Sequence, residues 1–442
     1  MLFKNCKQVI DNGLTPDLKK IREDVIDILS SALNAVDPYK AVKSRFNVGN
    51  IILEDGEIDI SNFKNVYLVG FGKASVGMTQ AVCDSINIKK GIVVTNDPDI
   101  CVQYNSITTF VGGHPIPNQN SIKSTERILE VIRECRKNDL LIVLISGGGS
   151  SLLCKPKISL KDLRITTELL LKSGANINEI NTVRKHLSFV KGGQIVRDVK
   201  CKVVSFIISD IVNDPLEFIA SGPTYPDSTT YVDTQNILYK YSLLEKIPSN
   251  VKRVIRNGIS GTIPETPKKG DTIFNNVHNF IIVNNKIACE AAEIKAKEIG
   301  YKPIITTTSL TGEAKDVGRY LIEKICKTKD KSVYISGGET TVTIKGNGNG
   351  GRNQEMVLGS IKSLGGRDIV FSSFATDGID GESKAAGAIA DGFSLMRAHE
   401  RNLDIEKYLE CNNSYEFFNK LGDLLITGPT GTNVMDIQII IS

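Results

Sequence analysis

Apolar and polar positions follow two rhythms along this 442-residue chain. Leu18, Ile21, Val25, Ile28, Leu29 and Ala32 recur at helical spacing. Thr15-Pro16 ahead of them supplies an N-cap hydroxyl and a proline preset for the first helical turn. Asp37-Pro38 repeats that start signal for a second, short helix. From Val66 the rhythm changes. Short apolar runs near 66–69, 91–95, 140–145 and 203–208 are separated by helical stretches, which predicts βαβ units and a mostly parallel sheet. Two helical stretches follow between Tyr231 and Gly258, and then Gly258 to Gly270 is rich in Pro, Gly and Lys. That segment reads as a linker, so residues 1–262 are expected to form one α/β domain and 263–442 a smaller one. The second domain should hold strands near 279–283, 303–306, 332–335, 369–375 and 436–441, with helices near 285–299, 312–326 and 352–363.

Three of these strands run straight into glycine-rich loops. Val66 to Val69 leads to Gly70-Phe71-Gly72-Lys73-Ala74-Ser75. Leu140 to Ile145 leads to Ser146-Gly147-Gly148-Gly149-Ser150-Ser151. Ser332 to Ile335 leads to Ser336-Gly337-Gly338-Glu339-Thr340-Thr341, and the loop continues through Gly346, Gly348, Gly350 and Gly351 into Arg352-Asn353-Gln354-Glu355. Glycines let backbone N–H groups approach an anion, and a helix N-terminus adds partial positive charge. Lys73 can serve as a point charge for a phosphate oxygen, and Arg352 as a guanidinium fork for carboxylate or phosphate. The spacing GxxxxGK[ST] is not met, so this is no Walker A loop. Each loop alone could be a tight βα turn; together they favour phosphate or nucleotide chemistry. In open α/β sheets such loops gather at the carboxyl ends of strands, and one cleft could receive loops of both halves.

Carboxylates join the candidates. Ser209-Asp210 ends a strand, where a carboxylate can orient a hydroxyl, accept its proton or bind Mg²⁺; a helix cap or Asx-turn is the plain alternative. Asp377 and Asp380, in Ala375 to Gly381, could ligate Mg²⁺, touch a nucleotide, or only shape an Asp-Gly turn. Asp210 and Asp377 are thus the metal candidates. Asn181 to His186, with Lys191-Gly192-Gly193, forms a basic helical region that could equally be a solvated face.

Composition narrows the classes. With 54 basic and 50 acidic residues the net charge is +4, too balanced for a nucleic-acid binder. No apolar run approaches a membrane span and no signal core opens the chain, so a cytoplasmic protein is expected. Nine cysteines stand singly, without a CxxC pair, which points to reduced thiols rather than zinc or disulfides.

These motifs carry a resemblance. The chain resembles the class II glycerate kinases, the glycerate 2-kinases with a MOFRL C-terminal domain. The matching stretches are Val69 to Ala74, Gly113-His114-Pro115-Ile116-Pro117, Ile145 to Ser151, Asn181 to His186, Lys191-Gly192-Gly193, Ser209-Asp210, Ser221-Gly222-Pro223-Thr224, Ser336 to Glu355, Ala375 to Gly381 and Leu425 to Asp436. The resemblance implies a two-domain α/β enzyme, a Rossmann-like N-terminal domain with a parallel sheet plus a smaller MOFRL-type α/β domain. It implies phosphorylation of D-glycerate by ATP with Mg²⁺ or another divalent cation, giving 2-phosphoglycerate. It places the catalytic core on Lys73, Asp210 and Arg352. Ser146 to Ser151, Gly338, Glu339, Thr340, Asn353, Glu355 and Asp377 then become substrate- or nucleotide-binding candidates. Small molecules are the expected partners, without nucleic acid or membrane, and a homodimer is left open. Two rival readings stand beside this one. A nicotinamide-dependent hydroxypyruvate reductase would need GxGxxG after a strand, and Gly70-Phe71-Gly72 lacks the third glycine at that spacing. A non-catalytic anion-binding module would need less machinery than these loops carry.

Overall fold

The structure, a computed structural model, describes residues 2–53, 56–325 and 331–442. By their contacts the residues form two compact units. The sheet-one unit holds Pro38–Ser209 and Asp214–Ile282, and the sheet-two unit holds Met1–Asp37, Asp210–Asn213 and Val283–Ser442.

The sheet-one unit begins with a small antiparallel sheet of β1 (Phe46–Asn47), β2 (Asn50–Leu53) and β3 (Gly56–Asp59). Its main sheet contains β4 (Val66–Phe71), β5 (Lys90–Thr95), β6 (Ile107–Val111), β7 (Leu140–Ile145), β8 (Lys202–Ile208) and β9 (Val277–Val283), in spatial order β6-β5-β4-β7-β8-β9. β4 pairs in parallel with β5 and β7, β5 with β6, and β7 with β8. This is the strand order of a doubly wound α/β sheet, which reverses direction between its first and fourth strands, here β4 and β7. All six residues of β4 and of β7 are buried, as central parallel strands covered on both faces require.

The sheet-two unit holds β10 (Lys302–Leu310), β11 (Ser332–Gly338), β12 (Val370–Ala375), β13 (Gly387–Asp391), β14 (Leu424–Leu425) and β15 (Asp436–Ile441), in order β10-β11-β15-β12-β13-β14. β10 and β11 are parallel and every other neighbouring pair is antiparallel. The helix Ala314–Ile325 matches the expected 312–326 stretch, whose last position lies outside the described residues.

The division differs from the 262/263 boundary read from the Pro-, Gly- and Lys-rich segment. That segment is tied into the sheet-one unit: Asp227 N–H donates to the Pro267 carbonyl and Arg197 Nη2 to the Glu265 carbonyl. The chain then runs into β9, which the sequence assigns to the second series but which flanks β8 at the edge of the first sheet. Its mixed burial, with only Ile282 and Val283 buried, is that of an edge strand. The N-terminal 37 residues join the sheet-two unit. The helix Pro16–Ala35, capped by Thr15 as expected, carries Arg22 into a fully buried charge cluster. Arg22 Nε donates to Asp391 at 2.8 Å, Arg22 Nη1 to Asp423 at 2.8 Å, and Arg397 Nη2 to Asp423 at 2.7 Å. Two strands of the second sheet escape the sequence pattern. β13 is mostly Gly and Ala, with Ile389 as its one β-branched residue, and β14 is two residues long.

Candidate active site

Both sheets end in polar edges, and the parallel one is built as the sequence predicts. β4 and β7 pair from Val66–Leu140 through Phe71–Ile145, so the loops after them leave the sheet side by side. Lys73 N–H donates to the Gly147 carbonyl and Ala74 N–H to Ser146 Oγ, which ties one loop to the other. Gly72 (φ 131°) lies against Ser146 so closely that any Cβ would overlap it. Gly148 sits in the left-handed region (φ 81°), and a Cβ there would approach His114 Cδ2 to 2.9 Å. Here the glycines do serve close approach. His114, from the loop after β6, has its pKa lowered by burial and by the Lys73 charge. The Lys73 side chain is partly buried, and its ammonium has no hydrogen-bond or ion-pair partner among the described residues.

The rest of the loop is braced from behind. Ser150 Oγ and Ser221 Oγ are 2.7 Å apart, and Ser151 Oγ donates to the Gly148 carbonyl. Ala220 (φ 49°) and Ser221 (φ 64°) both occupy left-handed backbone conformations, which cost on the order of 1 kcal/mol or more for residues with a Cβ. Such strain persists where neighbours hold it, and Gly192 and Gly193 N–H groups donate to the Ser221 and Gly222 carbonyls. Lys191, 4% exposed, donates to the carbonyls of Ser150 and Leu153.

The basic run 181–186 is mostly structural. Lys185 is fully buried between Glu217 (2.8 Å) and Asp227 (2.6 Å). His186 Nδ1 is 2.9 Å from the Thr182 carbonyl and Nε2 is 3.0 Å from Glu265.

The edge of the second sheet is different in sign. β11 and β12 end beside the start of β15: Gly338 and Ala375 are both register partners of Asp436. Glu339, Asp377 and Asp436 therefore converge from three strand ends. Arg352, in the first turn of the helix Arg352–Leu364, lies among them. Its Nε and Nη2 grip both oxygens of Asp436, at 2.6 and 2.9 Å, and its Nη1 is 3.1 Å from Glu339. The fork expected for a substrate anion is largely engaged by protein carboxylates. Burial raises the Glu339 pKa; Arg352 opposes this, while Asp436, Asp210 and Asp377 add to it. Burial likewise raises Asp436. Asp210–Asn213 group with this unit.

The second glycine loop is also not a bare cradle. A Cβ at Gly346, Gly348 or Gly350 would overlap residues 411–414, and one at Gly351 would overlap Asp380. These glycines serve backbone packing. Gly338 (φ 144°) is needed for the close approach of Leu310. Asp380 is buried and accepts the backbone N–H groups of Asn353 and Gln354 and their side-chain amides, capping the Arg352–Leu364 helix. Burial pushes its pKa up to about 6. Asn353 also accepts from Ser373, and Glu355 accepts from Asn412 in the interior, so both side chains face inward. Thr340 is 3% exposed with a hydroxyl that has no partner among the described residues.

Among the described residues, no three His, Cys, Asp or Glu side chains form a ready metal cage. The hard carboxylate oxygens of Asp210, Asp377 and Glu339 nevertheless suit Mg²⁺, which commonly takes one or two carboxylates and completes its shell with water and phosphate. Asp436 is the residue that sequence reasoning missed as a partner for Arg352. Its signal was a carboxylate opening a fully buried strand whose one other polar residue is Gln438. Among the described residues, no helix is long and apolar enough to cross a membrane.

Comparison with known proteins agrees with this architecture. Residues 24–256 match a family model described as a domain of unknown function, DUF4147, and residues 332–436 match the MOFRL family. A glycerate 2-kinase of Pyrococcus horikoshii is 42% identical, over 95% of this chain and 97% of that protein. The solved structure of a glycerate kinase from Thermotoga maritima superposes with a TM-score of 0.85 at 39% identity, covering 96% of this chain and 99% of that one. A relative from Agrobacterium vitis, 39% identical over 85% of this chain and 86% of its own, carries a provisional hydroxypyruvate reductase name. The chain belongs to the class II glycerate kinases, the MOFRL family.

Proposed function

We infer that this protein is a glycerate 2-kinase, moving the terminal phosphoryl group of ATP to the 2-hydroxyl of D-glycerate. The observation that carries this reading is Lys73, held in two interlocked glycine loops at the point where the strand order of the parallel sheet reverses, with an ammonium that has no partner among the described residues. Phosphoryl transfer asks a protein for positioning and charge neutralisation rather than covalent chemistry. In this reading Lys73 neutralises charge on the transferring group, and the loop Ser146 to Ser151 offers backbone N–H groups to the nucleotide phosphates. Asp210 orients the glycerate hydroxyl or accepts its proton. Arg352, held by Asp436 and Glu339, keeps two N–H groups for an oxyanion, fewer than an unpaired guanidinium would offer. A divalent cation, when bound by Asp210, Asp377 or Glu339, supplies charge neutralisation for phosphate oxygens. A cytoplasmic location goes with an ATP-consuming reaction of this kind.

The reductase name of the Agrobacterium relative is the second reading. Against it, the end of β4 and the loop after it read Gly70-Phe71-Gly72-Lys73-Ala74-Ser75, with Ser75 where the dinucleotide fingerprint needs its third glycine. One incubation separates the readings. With ATP, Mg²⁺ and D-glycerate, the product's phosphorus should couple to a single methine proton in NMR, as for 2-phosphoglycerate. Coupling to a methylene pair would place the phosphate on O3. Consumption of NADH with hydroxypyruvate and no ATP would favour the reductase.

A further inference from the structure

The helix Ile177–His186 ends in three consecutive basic residues with unequal fates. Lys185 and His186 face carboxylates. Arg184 does not: its partly buried guanidinium has no hydrogen-bond or ion-pair partner among the described residues. Backbone bonds fix where it stands. Lys157 N–H donates to the Leu187 carbonyl and Phe189 N–H to the Lys155 carbonyl, so the helix end lies along the segment 155–157 that follows the glycine loop. Gln194 Nε2 donates to the Lys185, Ser188 and Lys191 carbonyls and ties the same helix end to Lys191, whose ammonium holds Ser150 and Leu153.

Arg184 and Lys191 thus stand together against the Ser146–Ser151 loop. The titratable groups acting on Lys191 are Arg184 and the Cys154 thiol, with no carboxylate among the described residues that act on it. Burial, with Arg184 adding, pulls the Lys191 amine down to about 7. Desolvated like charges without a counterion are costly, and protein interiors normally pair them. Lys191 has its carbonyl acceptors; Arg184 has none among the described residues.

We propose that Arg184 is a substrate-binding residue of the glycine-loop site, taking one oxyanion of the reactants, either the glycerate carboxylate or a nucleotide phosphate. A guanidinium fork suits either group, and its vacant acceptor positions are what a bound anion would fill. The proposal rests on the kinase reading above. It adds a fourth charged residue to Lys73, Asp210 and Arg352, in the unit where Lys73 is otherwise the sole cation assigned to substrate.

The test uses full-length Arg184→Met and Arg184→Lys with three readouts. Since no ion pair is lost, Arg184→Met should keep or raise Tm. Its KM should rise roughly 10- to 100-fold for one reactant and stay near normal for the other, as expected for a lost charge-assisted hydrogen bond. A rise for glycerate names the carboxylate; a rise for ATP names the phosphate. Arg184→Lys should recover only part of the loss, and added guanidinium ion at low concentration should restore part of the Arg184→Met activity. A lower Tm with both KM values unchanged would overturn the proposal, as would normal KM values with a normal Tm. If the wild-type protein transfers no phosphate at all, the kinase reading fails separately. Calorimetric binding of ATP and of D-glycerate to wild type and Arg184→Met then decides Arg184 alone, equal affinities overturning its role.

Discussion

The two polar sheet edges use cations in opposite ways. Around the glycine loops of the parallel sheet, Lys73 and Arg184 have no counterion among the described residues, while interlocked loops and buried donors hold their surroundings in place. At the edge of the mixed sheet, Arg352 sits among Asp436, Glu339, Asp377 and Asp380 and binds two of them directly. The first edge has positive charge to offer an anion. The second has an excess of carboxylate, which favours a cation or a hydroxyl. A charge paired inside the protein has most of its electrostatic work done by the fold, so its loss should register in stability. A charge left unpaired costs the fold something and should register in activity.

The fully paired extreme is Arg22. Arg22→Ala leaves Asp391 and Asp423 buried with less compensation, and should cost about 3–5 kcal/mol in urea unfolding. A loss below about 1 kcal/mol would break the rule that paired charges hold this fold. Arg352 is the mixed case. Arg352→Ala should cost about 3 kcal/mol, the lower end of that range because its side chain is 29% exposed. Activity should fall as well, and Arg352→Lys should restore neither, since the two-point grip on Asp436 is gone. Adding Asp436→Asn to Arg352→Ala should return part of the stability and none of the activity. Near-normal kinetics in Arg352→Lys would remove Arg352 from the reaction.

Asp210→Asn should lower kcat by about 10²-fold while leaving ATP affinity intact, if the carboxylate acts on the glycerate hydroxyl. Loss of ATP–Mg²⁺ binding in that variant would reassign Asp210 to the metal.

The smallest effect is in pH. Asp380 is raised from 3.8 to about 6 by burial, so its folded form prefers the proton. Its contribution to stability is present below its ordinary value and is lost as pH rises through about 6. For Asp423, burial works upward but Arg22 and Arg397 outweigh it and lower the pKa. Its contribution is present at neutral pH and is lost as pH falls below the ordinary carboxylate range. Carbon NMR titration of the carboxyl groups should show Asp380 with a midpoint near 6 and Asp423 flat through that region. Co-titration of the two would erase the distinction.

What the sequence revealed was local. Lys73 and Ser146 to Ser151 were legible because a buried parallel strand is a continuous apolar run and its loop follows at once. The charge of Arg352 was legible, but its partner Asp436 lies 84 residues away and is brought in by antiparallel register. The glycines at 346–351 look like those of a phosphate loop, yet their close neighbours are residues 411–414 and Asp380, contacts no local pattern encodes. Arg22 interrupts a helical stripe for partners at Asp391 and Asp423, so the stripe predicted the helix and not its place in the sheet-two unit.

Lys73→Met tests the central claim most directly, with kcat/KM for D-glycerate phosphorylation and Tm measured on the same preparation. An unpaired cation reserved for the transferring phosphoryl group predicts a loss on the order of 10²–10³ in kcat/KM with Tm unchanged or higher. A clear fall in Tm with kcat/KM near wild type would contradict it.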